Sequence, residues 1–267
     1  MNKQPIGVFD SGIGGLTILR ALHQVLPGED LIYFGDTANV PYGGKSKQAV
    51  TRLSLAVAQF LESCHVKLVI VACNTASAQA LGTLKKQLSV PVMGVIEPGA
   101  ATAIRTTKNH KIAVLGTQGT VESNAYVKAI HKQDKQVTVF QKACPLFVPL
   151  VEEGFARKPA AELIAREYLQ SIQNSQADTV ILGCTHYPIL KPLITSILGP
   201  KIALVDSADT LAQSAKDFLE KHQLTASSTG SGTIKLYASD SADKFTTAAK
   251  QLLGLKLHKA TLKKLNI

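Results

Sequence analysis

Short runs rich in valine, isoleucine and leucine alternate along the chain with longer segments in which apolar positions recur at helical spacing. Continuous apolar runs of about four to eight residues suit strands covered on both faces, and the amphipathic segments suit the helices that cover them. The predicted strands span 6–9, 31–34, 68–72, 92–95, 112–116, 137–141, 179–183, 202–205 and 234–238. The predicted helices lie near 15–26, 46–63, 76–88, 98–106, 121–132, 160–174, 209–221 and 241–253. This pattern predicts an α/β protein built from mainly parallel sheets flanked by helices.

The organisation of the chain is suggested by a weak internal echo. With 267 residues, the chain exceeds the usual size of a single domain. Segment 8–12 (VFDSG) resembles segment 115–119 (LGTQG), and each precedes a later strand that ends in cysteine. Two similar lobes, each contributing one cysteine at a strand end, are the simplest organisation consistent with that echo. We predict a first lobe from 1–95 plus 208–267 and a second from 96–207.

The spacing of the cysteines and the lengths of the apolar runs indicate in which cellular compartment the protein is expected. The four cysteines are widely separated and form no Cys-x-x-Cys pair, and the opening MNKQPIGVFD contains no apolar leader segment. The longest apolar runs, such as LVIVA at 68–72, are far shorter than the roughly 20 residues that a membrane helix needs. We therefore expect a soluble, reduced, cytoplasmic protein with no membrane partner.

The net charge of +10 raises the question of a nucleic-acid partner. The lysines are scattered, however, and the densest group has the spacing of one solvated face of a C-terminal helix, with leucines on the other side. These residues are Lys256, Lys259, Lys263 and Lys264 on the solvated face and Leu255, Leu262 and Leu265 toward the core. No nucleic-acid partner is therefore expected, whereas an anionic small-molecule substrate is compatible with the charge.

The segment FDSGIGGL at 9–16 follows a predicted strand and opens a helix, as a phosphate-binding loop does. The third glycine of the dinucleotide fingerprint is replaced by Thr17, and Asp10 would repel a phosphate. Two interpretations remain. The helix N-terminus binds a carboxylate ligand with Ser11 as a donor, or Asp10 and Ser11 form an ordinary helix cap.

Other catalytic and metal-binding motifs are missing from the sequence, which contains no H-E-x-x-H, no Cys-x-x-Cys and no G-x-S-x-G. A metal held by Cys73, Cys184 and His186 would lack an evident fourth ligand. No metal is predicted.

The polar segment GDTANVPYGGKS at 35–46 follows the second strand. It is either a ligand-binding loop at the sheet edge or a turn with a packed tyrosine ring.

Two cysteines stand in matching settings. Cys73 in VIVACNTASA and Cys184 in VILGCTHYP each end a Val/Ile-rich strand, where a following helix N-terminus can stabilise a thiolate. Cys64 and Cys144 are interpreted as small buried hydrophobes.

Two kinds of chemistry could use Cys73 and Cys184. One alternative is a single nucleophilic cysteine with His186 as its base. The other is a pair of thiols, one removing a proton from a carbon centre and the other delivering one from the opposite face. The near symmetry of the two settings favours the pair, because a donor and an acceptor that exchange roles have reason to resemble each other.

Four segments together resemble a known family. DSGIGGL, GDTANVPYG, ACNTASA and GCTHYP, in this order and separation, are similar to the signature segments of bacterial glutamate racemases within the aspartate/glutamate racemase superfamily. The resemblance covers nearly the whole chain. Aspartate racemases share the Cys-Asn-Thr segment but typically carry an acidic residue at the position of His186.

The resemblance implies roles for individual residues. Cys73 and Cys184 would be the two acid/base thiols, with Asp10 assisting the first and His186 the second. Glu152 would be a helper on the Cys184 side, although the adjacent Glu153 could take that place. The implied substrate-binding residues are Asp10, Ser11, Tyr42, Gly43, Asn74, Thr75, Thr117, Thr120, Thr185 and His186.

The family also implies an activity and a cellular role. The implied fold has two α/β lobes that face each other across a cleft, where the active site lies. The implied activity is the interconversion of L- and D-glutamate, and the implied role is the supply of D-glutamate for peptidoglycan. No pyridoxal phosphate, metal or nucleotide is implied, and a homodimer is expected. Two alternatives stay open from the residues alone. The chain could racemise another small substrate such as aspartate or a hydantoin, or it could be a binding or regulatory protein, whose role would survive loss of both thiols.

Overall fold

The computed structural model describes residues 3–226, 230–255 and 257–265. The strands are β1 (Ile6–Asp10), β2 (Leu31–Gly35), β3 (Leu68–Val71), β4 (Val92–Gly94), β5 (Lys111–Gly116), β6 (Thr138–Ala143), β7 (Thr179–Gly183), β8 (Ala203–Asp206), β9 (Ile234–Ala238) and β10 (Thr261–Leu262). The helices are α1 (Leu16–Val25), α2 (Lys47–Ser63), α3 (Asn74–Gln79), α4 (Leu81–Gln87), α5 (Ile96–Thr106), α6 (Gln118–Glu122), α7 (Ala125–Gln133), α8 (Phe147–Glu152), α9 (Pro159–Ser175), α10 (Lys191–Leu198), α11 (Ser207–Lys221) and α12 (Ala242–Leu253). A short 3₁₀ helix, η1, spans Tyr187–Leu190.

The strands form two separate sheets. The first has the order β10-β9-β2-β1-β3-β4 and the second the order β6-β5-β7-β8. Every pairing between the strands is parallel. Strands such as β1, β2 and β7 are buried along their whole length, as expected where helices cover both faces. The predicted α/β class with two parallel sheets flanked by helices is confirmed.

The strand register places the two cysteines at equivalent points. In the first sheet β3 pairs with β1, with Phe9 opposite Val71, so Asp10 and Cys73 leave the sheet at the same edge. In the second sheet β7 pairs with β5, with Gly116 opposite Gly183, so Thr117 and Cys184 leave at the corresponding edge. The short sequence echo therefore corresponds to a repeated spatial arrangement.

A shared hydrophobic core joins the two sheets. It contains Val8 and Ile70 from the first sheet, Val114 and Ile181 from the second, and residues of α1, α5 and α11 such as Leu19. Two further clusters cover the outer faces of the first and second sheets. The strands of the first sheet lie within 6–94 and 234–262, and those of the second within 111–206. The division into lobes at 95/96 and 207/208 stays a prediction.

The helices differ from prediction in a few places. The predicted helix at 76–88 is broken at Ala80 into α3 and α4, and that at 121–132 is broken at Asn124, whose backbone is left-handed with φ 53°. Two helices were not predicted, α8 and α10, because prolines within these segments obscure the helical pattern.

The predicted C-terminal helix is wrong. The strand β10 pairs with β9 at the edge of the first sheet, and Leu262 is 51% exposed. Leu255 and Leu265 do pack against hydrophobic clusters. Lys256 lies outside the described residues. The helical spacing of the leucines was misleading because β10 is an edge strand. Most of its surface stays exposed, so its leucines do not need to share one buried face.

In the described ranges, no helix combines the length and apolar character that crossing a bilayer requires.

Candidate active site

The first thiol lies between a strand and a helix. Cys73 follows β3, serves as the N-terminal cap of α3 and is 5% exposed. Its sulfur lies 3.9 Å from Oγ of Ser11. Burial and the nearby charge of Asp10 raise the pKa of Cys73 to about 12, although a hydrogen bond from the backbone of Ala76 acts in the opposite direction. The helix terminus therefore acts in the expected direction, but desolvation and the charge of Asp10 outweigh it and favour the thiol.

The carboxylate of Asp10 organises the loop after β1. Its Oδ2 accepts hydrogen bonds from the backbone N–H groups of Gly12 (3.2 Å) and Gly15 (3.0 Å). Its Oδ1 accepts a hydrogen bond from the hydroxyl of Thr185 at 3.4 Å. These contacts support the capping interpretation, and the binding of a carboxylate ligand by this segment stays a prediction. Asp10 caps its own loop and occupies two of its amides, and it also contacts the residue that follows Cys184.

The second thiol belongs to a chain of three groups. The sulfur of Cys184 lies 3.8 Å from Nδ1 of His186, and Nε2 of His186 lies 3.0 Å from Oε1 of Glu152. Burial alone would lower the pKa of His186, but hydrogen bonds to Cys184 and Glu152, together with the charges of Cys184 and Asp10, raise it to about 10. Glu153 is exposed. The contact with His186 is therefore made by Glu152. The turn after Cys184 continues as η1 rather than as an α-helix.

Three threonines meet between the two sheets. The Oγ1 atoms of Thr75 and Thr117 lie 2.8 Å apart, those of Thr117 and Thr120 3.0 Å apart, and those of Thr75 and Thr120 3.4 Å apart. All three residues are buried. Gly43 packs against them, because a Cβ atom there would lie 2.7 Å from Cβ of Thr117. The carbonyl of Gly43 also accepts a hydrogen bond from the Gly119 amide at 2.9 Å.

The side chain of Tyr42 is packed rather than free. Its hydroxyl donates a hydrogen bond of 2.6 Å to Oδ2 of the buried Asp36, and the residue is 1% exposed. Burial raises the pKa of Tyr42, and the charge of Asp36 raises it further. Asp36 also accepts hydrogen bonds from Ser239 (2.7 Å) and Asn39 (3.1 Å). The packed-ring interpretation holds for this side chain, and its predicted contact with substrate stays a prediction that rests on the backbone of the loop.

Asn74 has a partner that sequence analysis missed. Its Oδ1 accepts a hydrogen bond of 2.7 Å from the hydroxyl of Tyr126 on α7, whereas its buried Nδ2 has no hydrogen-bond partner among the described residues. An unpaired buried amide next to Cys73 is a donor available to a ligand. Tyr126 lies in an amphipathic segment and carries no sequence signal beyond that of a core residue.

Glycine permits the close approach of the two strand edges. A Cβ atom on Gly14 would lie 2.3 Å from Oγ1 of Thr185 and 2.8 Å from the ring of His186. A Cβ atom on Gly15 would lie 2.6 Å from Cβ of Asp10. The glycines of the segment at 9–16 therefore serve packing across the site as well as the turn.

The arrangement as a whole brings the predicted residues together in two linked groups. In the first group Ser11 lies beside Cys73, and Asp10 accepts a hydrogen bond from Thr185 of the other sheet; in the second, Gly43, Thr75, Thr117 and Thr120 form another contact between the sheets. A cavity of about 180 Å³ lined by Gly12, Val40 and Glu152 flanks the first group. A larger cavity of about 420 Å³ lies elsewhere, between β4, α5 and α7. Over the ranges that the structure describes, no cluster of three or more His, Cys, Asp or Glu side chains could hold a metal ion.

Comparison with known proteins gives consistent results. Residues 6–215 match the Asp/Glu/hydantoin racemase family. A glutamate racemase of Geobacter metallireducens is 48% identical over 257 residues, covering 96% of this chain and 95% of that protein. The crystal structure of a glutamate racemase isoform from Bacillus anthracis superposes with a TM-score of 0.94 at 34% identity, covering 100% of this chain and 99% of that one. A glutamate racemase of Francisella tularensis, solved in complex with D-glutamate, gives a TM-score of 0.92 at 36% identity, covering 99% of this chain and 98% of that one.

Proposed function

The chain belongs to the Asp/Glu/hydantoin racemase family, and from this membership and the geometry of the site we propose that it interconverts L-glutamate and D-glutamate. The observation that carries the proposal is the placement of two buried thiols at equivalent strand ends, Cys73 after β3, which pairs with β1, and Cys184 after β7, which pairs with β5. Each thiol has its own polar partners, Asp10 and Ser11 for the first and His186 for the second. A pair of this kind suits proton transfer at two faces of one carbon atom.

The reaction proceeds by two proton transfers. For L-glutamate, the Cys184 thiolate takes the α-proton and forms an S–H bond, while the electron pair of the C–H bond stays on the α-carbon. The Cys73 thiol then donates its proton to the opposite face and becomes a thiolate. The enzyme that releases D-glutamate therefore holds its proton on Cys184, and this form accepts D-glutamate in the reverse direction or returns by exchange with solvent.

The electrostatics of the site support this assignment of roles. The raised pKa of Cys73 keeps it protonated as a proton donor, because burial and Asp10 disfavour its thiolate. The pKa of His186 is raised to about 10, so its protonated form is favoured at neutral pH and places a positive charge beside the sulfur of Cys184. Glu152 holds the imidazole in place. Asp10 is thus a positioning and electrostatic partner of the first thiol, and His186 of the second.

Substrate binding uses the polar groups between the two sheets. The free amide of Asn74 and the hydroxyls of Ser11, Thr75, Thr117, Thr120 and Thr185 supply donors for the carboxylates of glutamate, and Asp10 supplies an acceptor for its ammonium group. Backbone groups of Tyr42 and Gly43 complete the site. Enclosure of the substrate by buried groups excludes water and strengthens the stabilisation of charge that develops on the carboxylate.

We propose the cellular setting and the division into lobes from the resemblance to the family. The protein acts in the cytoplasm without pyridoxal phosphate, metal or nucleotide, as a homodimer, and its D-glutamate serves peptidoglycan synthesis. Its two lobes comprise residues 1–95 plus 208–267 and residues 96–207, and the cleft between them is the active site.

The proposal is tested with purified protein and D-glutamate in deuterated buffer containing EDTA and no pyridoxal phosphate. Optical rotation and α-carbon deuterium are followed together. Loss of rotation with deuterium in the product is the expected result. Turnover of aspartate or a hydantoin in place of glutamate would keep the two-thiol chemistry and overturn the substrate. Inactivity on all three would favour the binding-protein alternative.

A further inference from the structure

Tyr126 connects the surroundings of the two thiols. Its hydroxyl donates a hydrogen bond of 2.7 Å to Oδ1 of Asn74, the residue after Cys73. Its ring packs against Gly183, the residue before Cys184, where a Cβ atom would lie 3.2 Å from Cε2 of the tyrosine. One side chain therefore contacts the immediate neighbour of each thiol.

The position of this ring is closely defined. Tyr126 is fully buried at the start of α7. On another side it faces Gly99 of α5, where a Cβ atom would lie 3.3 Å from Cε1 and 3.4 Å from the hydroxyl. With glycine at both contact points the ring fits without displacing either segment, and its hydroxyl lies between Asn74, to which it donates, and the side chain of Ser207.

The hydrogen bond fixes which end of the Asn74 amide faces the site. Burial raises the pKa of Tyr126, so the phenol stays protonated and donates. A donor at this position holds Oδ1 of Asn74, and the Nδ2 group of the same amide is then turned away from Tyr126 with no partner among the described residues. Without that donor the amide could rotate and present its oxygen to the ligand instead.

We propose that Tyr126 is a positioning residue for racemisation, which acts through Asn74 by keeping the Nδ2–H donors directed at a carboxylate of the substrate. The inference rests on the proposed glutamate racemase function. Under this proposal Tyr126, which lies on α7 and packs against the second sheet, contributes to substrate binding next to Cys73. The orientation of the Asn74 amide then depends on the packing of Tyr126 beside Cys184.

The first test is the Tyr126→Phe variant, which removes the hydroxyl and retains the ring. We expect KM for both glutamate enantiomers to rise by about tenfold with a smaller change in kcat, because a misdirected amide weakens binding by roughly the value of one hydrogen bond to a charged group. The matched control is Tyr187→Phe. Tyr187 is also fully buried, and its hydroxyl donates to the backbone carbonyl of Cys144 at 2.9 Å. We expect that control to lose a comparable amount of thermal stability while KM stays within about twofold of wild type.

Asn74 variants separate positioning from a purely structural role. Asn74→Asp retains an acceptor for Tyr126 but has no N–H donor, so KM should rise at least about tenfold. Because the new carboxylate is buried, thermal stability should also fall, and KM is measured well below the unfolding temperature. In an Asn74→Ala background, Tyr126→Phe should cause no further rise in KM. An unchanged KM in Tyr126→Phe, or additive effects in the double variant, would overturn the inference. The wild-type protein is assayed alongside, and its inactivity on glutamate would instead refute the proposed function.

Discussion

The carboxylate of Glu152 lies 3.0 Å from Nε2 of His186, and the opposite ring nitrogen of His186 lies 3.8 Å from the Cys184 sulfur. A protonated imidazole can donate from both nitrogens at once. The carboxylate therefore stabilises the cation and sets the orientation of the ring that faces the thiol. The protonation of His186 therefore contributes to stability and, under the proposed mechanism, to catalysis as well.

We expect the stability contributed by His186 to be fully present below pH about 6.5 and to be lost as the pH rises through about 10, since its pKa is raised from its ordinary value to about 10 in the folded state. Glu152→Gln removes the carboxylate that accepts a hydrogen bond from His186 and helps to raise its pKa. It should lower the free energy of unfolding by about 1 to 2 kcal/mol at pH 7, with a difference from wild type that shrinks toward pH 10. Urea unfolding at intervals between pH 6.5 and 10 measures both effects.

Glu153→Gln is the control for this series. Glu153 is exposed, so its replacement should change the free energy of unfolding by less than about 0.5 kcal/mol at every pH. A constant difference between Glu152→Gln and wild type across the pH range would contradict the assignment of the effect to His186.

Replacing either thiol should stop racemisation while leaving half of the chemistry. Cys73→Ala retains the base for L-glutamate, and Cys184→Ala retains the base for D-glutamate. Each variant should still exchange the α-proton of one enantiomer, or eliminate a leaving group from one enantiomer of a β-substituted analogue. Proton NMR in deuterated buffer measures the exchange. A Cys184→Ala variant that racemises at nearly the wild-type rate would refute the two-thiol mechanism.

Gly14→Ala should damage catalysis more than folding. The added methyl group would lie 2.3 Å from Oγ1 of Thr185 and 2.8 Å from the His186 ring, so these side chains must move. We expect kcat to fall at least about tenfold with a loss of about 1 to 3 kcal/mol in the free energy of unfolding. Steady-state kinetics and urea unfolding measure the two quantities. In Gly82→Ala the methyl group meets no atom within 4 Å, and this helical variant should keep wild-type kinetics and gain up to about 1 kcal/mol.

Asp36→Asn tests the anchor of the loop that carries Tyr42 and Gly43. Asparagine has a single acceptor oxygen, so one of the donors from Tyr42 and Ser239 would face an NH₂ group. The free energy of unfolding should fall by about 1 to 3 kcal/mol, KM for glutamate should rise, and hydrogen exchange should accelerate across 36–46.

The control for Asp36→Asn is Asp178→Asn. Asp178 accepts hydrogen bonds from the side chain of Thr107 (2.6 Å) and from the backbone of Lys108 (2.7 Å), away from the thiols. It should lose stability without a change in KM. An equal rise in KM in both variants would show that the effect of Asp36 is not specific to its loop.

Local sequence patterns were sufficient to place the strands and to place two cysteines at strand ends. All nine predicted strands are present, because parallel strands covered by helices, such as β1, β2, β3, β5 and β7, produce continuous apolar runs whose ends are marked by polar residues. Cys73, Cys184 and Asp10 could be selected for the same reason, since each stands at such an end. The prediction for the C-terminal segment was wrong because the spacing of Leu255, Leu262 and Leu265 fits a helix, whereas pairing of β10 with β9 decides the conformation of this segment.

Long-range packing could not be inferred in the same way. Tyr126 and Asn74 are 52 residues apart, and their hydrogen bond depends on how two helices of different sheets meet. The local motif likewise suggested a helix terminus that favours the Cys73 thiolate, whereas burial and the approach of Asp10 raise its pKa. Electrostatic properties of this kind depend on the summed surroundings of a group, which a single segment does not contain.

The depth of the two sulfurs also protects them from side reactions. Cys73 is 5% exposed and Cys184 is 6% exposed, while hydrogen bonds between the sheets, such as that from Thr185 to Asp10, hold the surrounding segments together. Peroxide and alkylating reagents, like glutamate, can reach sulfurs at this depth only if the segments around them separate. Under the proposed two-thiol mechanism, the rate of thiol modification therefore reports how often the site opens, and the contacts that enclose the substrate also shield from oxidation the two cysteines that each turnover requires.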